Sequence, residues 1–162
     1  MGNTAVFCFA ALLMWAAACD VSRMEIPNRI SVLLAASYPP LAWAAGVPLP
    51  EIGLHLACGL AALAVCFVLF QAGVFGGGDA KILAAAIVWT GLGALTPFLL
   101  ATCLFGGVLT LAILAARRLA QPKPAFPEFL NRLLQPDNGS PYVVAIAAAG
   151  FFVAPQLPLL LA

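Results

Sequence analysis

Six apolar segments, at about 4–19, 30–45, 52–70, 82–95, 97–116 and 142–161, take up most of the chain's 162 residues. Each is about as long as the roughly 20 residues that carry a helix across a hydrocarbon core, or slightly shorter. A segment inside lipid has to satisfy its own backbone N–H and C=O groups, and a helix does so without a partner. The segments therefore imply an all-α, polytopic membrane protein with little mass outside the bilayer. Composition agrees: 64% of residues are hydrophobic and 8% charged, against about 25% charged in soluble domains, and mean hydropathy is +1.09. A net charge of +1 without a long basic run excludes nucleic acid as a partner.

The number of spans turns on residues 82–116, an almost unbroken apolar stretch of 35 residues. As one helix it would run roughly 50 Å at about 1.5 Å per residue, too long for a core of about 30 Å. A turn at Thr90-Gly91-Leu92-Gly93 and Thr96-Pro97 divides it, with Pro97 in the first turn of the second piece, where a missing N–H is harmless. Six spans then leave loops 20–29, 71–81 and 117–141 on one side. These hold Arg23, Arg29, Lys81, Arg117, Arg118, Lys123 and Arg132, all seven basic residues of the chain. The positive-inside rule places these loops in the cytoplasm and both termini outside. A fused 82–116 helix would destroy that pattern.

Smaller signals fill in the picture. The segment before Cys19 lacks the basic n-region of a signal peptide and reads as a retained first span. Pro39-Pro40 should kink the second helix, leaving neighbouring helices to satisfy the freed carbonyls. Cys8, Cys19, Cys58, Cys66 and Cys103 form no C-x-x-C pair and read as small apolar side chains packed between helices. In the loop 117–141, after Pro122, Pro124 and Pro127, residues 128–135 place Phe129, Leu130, Leu133 and Leu134 on one face of a short helix. That helix lies either in the membrane interface or as a lid on the bundle. A turn follows at Pro136-Asp137-Asn138-Gly139.

Only six residues are acidic, and two of them, Asp20 and Asp79, sit where an apolar segment meets a loop on the basic side. Asp20 is placed at the end of the first helix and Asp79 just before the fourth. Carboxylates at the edge of lipid are costly and ask for a functional reason. Two brought close cannot both ionise easily, so the pair holds one proton. The ionised member can then take a proton from water while the protonated member polarises a peptide carbonyl, as in aspartic proteolysis. The structural alternative is that each aspartate caps a helix or pairs with Arg23 and Lys81. Gly76, Gly77 and Gly78 directly before Asp79 offer wide dihedral freedom, letting the carboxylate approach a second helix or an extended substrate approach the backbone. The run lacks the ending of a phosphate-binding loop.

Asp20 with Ile26-Pro27-Asn28-Arg29, followed by Gly76-Gly77-Gly78-Asp79-Ala80-Lys81, resembles the two signature motifs of type IV prepilin peptidases, the GxGD class of membrane aspartyl proteases. Residues Pro141-Tyr142-Val143-Val144-Ala145-Ile146-Ala147 resemble that family's final-helix motif, although Val143 stands where many members have glycine. The small size is similar to the Tad/Flp-pilus branch. The resemblance implies Asp20 and Asp79 as the catalytic pair, with Lys81 lining the site and Pro27-Asn28 shaping the loop after Asp20. It implies a prepilin or pseudopilin substrate in the bacterial inner membrane, cut at the cytoplasmic face without metal or organic cofactor. About ten residues between the first two helices leave no room for the insertion of the bifunctional members, so methyl transfer is not expected.

Other residues read as structural. His55 is expected to be packed or interface-facing, Glu51 solvated, Arg117-Arg118 anchored to lipid headgroups, and Trp43 and Trp89 near the outer interface. Two other functions compete: a non-catalytic scaffold subunit of a pilus or secretion system, and a proton-coupled transporter. The transporter fits less well, because transport sites lie near the midplane. Oligomeric state is not legible.

Overall fold

The computed structural model describes residues 2–119, 126–135 and 139–157, and every regular element among them is helical. In chain order these are α1 (Gly2–Arg23), α2 (Asn28–Ala44), α3 (Leu49–Gln71), α4 (Gly77–Thr90), α5 (Leu95–Leu119), α6 (Glu128–Leu134) and α7 (Val143–Val153), which a single 3-10 turn extends to Gln156. The 82–116 stretch is divided as its length requires, between α4 and α5. Gly91 makes the turn with φ +54°, and a Cβ there would lie 2.3 Å from the His55 ring. Several predicted bounds shift. α1 runs a turn past its expected end and α2 starts early, so they are joined by residues 24–27 alone rather than by about ten residues. Pro122, Lys123 and Pro124, most of the turn at Pro136-Asp137-Asn138-Gly139, and the end of the last apolar segment beyond 157 lie outside the described residues.

α4 is the core of the bundle. Its residues Ile82 to Thr90 are all buried, as a helix apolar on every side must be when other helices surround it. It packs against α3, α2 and α7, while α1 and α5 pack against α7. Close approach is bought with small residues. A Cβ on Gly59 of α3 would meet Val88 Cγ2 at 2.3 Å, and one on Gly150 of α7 would meet Leu13 Cδ1 at 2.5 Å.

Aromatic rings fill the end of α4 away from Asp79. Trp89 is fully buried, not at the interface as its indole suggested. It lies 5.1 Å from Phe9 and 5.6 Å from Tyr38, and its N–H donates to the Leu34 carbonyl at 2.7 Å. His55 is packed, as expected. Its ring stacks on Tyr38 at 4.9 Å, and its Nδ1–H donates to the Val88 carbonyl at 2.8 Å, a bond that requires that tautomer because a carbonyl only accepts. Among the described residues the Tyr38 hydroxyl is buried without a partner. Such a group costs about 1–3 kcal/mol, so Tyr38→Phe is expected to raise the melting temperature in detergent. A lowered one would show that the hydroxyl is satisfied.

Three helical stretches, Thr4–Arg23, Leu49–Gln71 and Leu95–Leu119, are long and apolar enough to cross a membrane by length and composition. Leu60, Val65 and Val68 of α3 and Leu100, Leu104 and Leu111 of α5 are exposed on the bundle's outside. Apolar surface on this scale belongs against lipid. Cys66 is packed as expected, whereas Cys103 is exposed. α6 sits on the bundle. Leu134 is buried, and Arg132 donates to the Ser22 carbonyl of α1 at 3.5 Å. Arg117 turns back to it, donating through Nε to the Leu133 carbonyl at 2.8 Å.

Candidate active site

Asp20 lies within α1 rather than at its end. The helix continues to Arg23 and closes with Met24 in the left-handed region at φ +55°, its N–H bonded to the Asp20 carbonyl at 2.8 Å. The Asp20 side chain is 5% exposed. Its Oδ2 accepts the N–H of Val143 at 3.0 Å. Val143 is the first residue of α7, so its N–H has no partner within the helix. Asp20 supplies that partner, and the positive end of the α7 dipole faces the carboxylate.

Asp79 also lies inside its helix, in the first turn of α4. A Schellman ending prepares this turn. Gly73 (φ +71°) closes α3, with the Val74 N–H bonded to the Leu69 carbonyl at 3.0 Å and the Gly73 N–H to the Phe70 carbonyl at 2.9 Å. Asp79 is half-buried. Neither aspartate forms an ion pair with Arg23 or Lys81. The Lys81 ammonium instead donates to Asn28 Oδ1 at 2.9 Å, tying the two motif segments together, with Pro27 at the start of α2.

The three glycines act differently from the expectation. None of Gly76, Gly77 or Gly78 has positive φ; Gly76 sits at φ −70° and ψ 137°, open to any residue. What they provide is space. A Cβ on Gly76 would stand 2.7 Å from Asp79 Oδ2, one on Gly78 2.7 Å from Ile26 Cδ1, and one on Gly77 3.2 Å from the Phe70 ring. The first and third glycines thus let the Asp79 carboxylate and the Ile26 segment close in.

Sequence reasoning assigned no role to the α7 start, where the Val143 N–H meets Asp20. A backbone donor has no side-chain signature, and only the resemblance drew attention to residues 141–147. A groove of about 480 Å³ opens between α2, α3 and α4, with Asn28 and Lys81 at its polar end and Val32, Leu60 and Leu63 among its apolar walls.

An all-helical bundle with three helices long and apolar enough to cross a membrane describes a membrane protein. The chain belongs to the type IV leader peptidase family, whose model matches residues 7–111 and so includes both aspartates. No curated protein and no solved structure matches it.

Proposed function

We propose that this protein is a membrane aspartyl endopeptidase that removes the leader peptide of prepilin or pseudopilin precursors at the cytoplasmic face of the bacterial inner membrane. One observation carries the reading: Asp20, buried within α1, accepts the backbone N–H of Val143 at 3.0 Å, and Asp79, half-buried in the first turn of α4, pairs with no cation among the described residues. We assign Asp20, whose carboxylate accepts the backbone N–H, the base role and Asp79 the acid role. Asp20 takes a proton from water as its oxygen attacks the scissile carbonyl carbon, and Asp79 gives its proton to the carbonyl oxygen. Collapse of the resulting gem-diol returns a proton to Asp79, and the one held on Asp20 passes to the leaving amine. No metal or organic cofactor enters these steps.

The grouping of all seven basic residues within the sequence segments 20–29, 71–81 and 117–141 supports a cytoplasmic site and both termini outside. In this reading α1 to α5 and α7 are the six spans. The shorter α4 is sheathed by protein and does not need to match the bilayer alone. With four residues between α1 and α2 there is no inserted domain, so methyl transfer is left out. The small size favours the Flp-pilus branch. Co-expression with a candidate precursor tests the reading by leader removal on a gel. Wild type should cleave and Asp20→Asn should not. A wild type that cleaves no precursor would favour the scaffold alternative, and a cleaving Asp20→Asn would refute the dyad.

A further inference from the structure

We propose that Tyr142 is a positioning residue that sets both aspartates at once, by seating its ring in a slot that Gly106 leaves in α5. The slot is tight. A Cβ on Gly106 would lie 2.4 Å from Tyr142 Cε2 and 2.6 Å from its hydroxyl oxygen, so the ring rests directly on the α5 backbone. Its hydroxyl donates to the Thr102 carbonyl only at 3.5 Å, leaving the ring itself to fix the seat.

Two consequences leave that seat in different directions. Tyr142 immediately precedes Val143, so fixing its ring fixes the N–H that Asp20 accepts at 3.0 Å. Its ring also meets Phe75 edge to face, with centroids 5.8 Å apart and planes at 75°. Phe75 immediately precedes Gly76, against which the Asp79 carboxylate packs. One aromatic ring therefore links α5 to the backbone that meets Asp20 and to the backbone that meets Asp79. Displacing it moves both carboxylates, and a misplacement of about 1 Å in a catalytic group costs about 100-fold in rate.

The inference rests on the endopeptidase reading, and its test separates the two. Gly106→Ala and Tyr142→Ala should each lower kcat about 100-fold with KM little changed. Tyr142→Phe keeps the ring and should restore kcat. Gly107→Ala, where a Cβ meets nothing within 4 Å, is the control on the same helix. The double variant Gly106→Ala/Tyr142→Ala should be no worse than Tyr142→Ala alone, because the clash disappears with the ring. The second readout needs no activity. The chain's three aspartates, labelled with 13C at the carboxyl, should show the Asp20 and Asp79 signals moved in Gly106→Ala and unmoved in Gly107→Ala. Failure of wild type to cleave would sink the endopeptidase reading alone, and the carboxyl signals would still decide this one. Unmoved signals, an additive double variant, or a loss confined to KM would overturn the positioning role.

Discussion

Cells producing Asp79→Asn are expected to accumulate uncleaved precursor, with leader removal down at least about 100-fold, the usual contribution of a positioned acid. The purified variant should remain folded, with a melting temperature within a few degrees of wild type, so that the loss reads on chemistry and not on folding. Wild-type-like cleavage by Asp79→Asn would remove Asp79 from the acid role.

Gly76→Ala should likewise separate stability from activity. Its backbone angles suit alanine, and the new methyl meets only the free end of the Asp79 side chain, at 2.7 Å from Oδ2. The cheapest relief is to swing that carboxylate away. The protein should fold with a melting temperature within a few degrees of wild type, since a change of 1 kcal/mol shifts it by only a few degrees at this size. Cleavage should fall about 100-fold, as for a catalytic group displaced by about 1 Å. Gly91→Ala is the contrasting case. There φ is +54° and the methyl would strike the buried His55 ring at 2.3 Å, so folded yield should drop. An active Gly76→Ala would mean that Asp79 has slack that the packing does not suggest.

Much of this molecule was readable because lipid imposes lengths and loops carry charge. The division of 82–116 followed from the thickness of a bilayer, and the short α6 from the alternation of Phe129, Leu130, Leu133 and Leu134 with polar neighbours. The same apolarity hid other things. A helix facing lipid and a helix sheathed by protein are both apolar on every side, so nothing in residues 82–90 distinguished the buried α4 from an outer span. Trp89 illustrates the cost. An indole near a segment end suggests an interface, yet this one fills the core because the Leu34 carbonyl accepts its N–H. The glycine run was noticed for the right residues and the wrong reason, since crowding at Gly76 and Gly78 depends on what lies opposite, and a sequence does not display that.

The bond from Val143 to Asp20 has an evolutionary corollary. A main-chain N–H is supplied by nineteen of the twenty amino acids, so the donor survives any replacement of the buried Val143 side chain that the core accepts, and proline is barred outright. It also falls beyond residues 7–111, the part shared with the family. A fragment trimmed to that shared part would keep both carboxylates and lose the group that receives one of them. The carboxylates and the donor that meets one of them therefore span more of the chain than the stretch by which kinship is recognised.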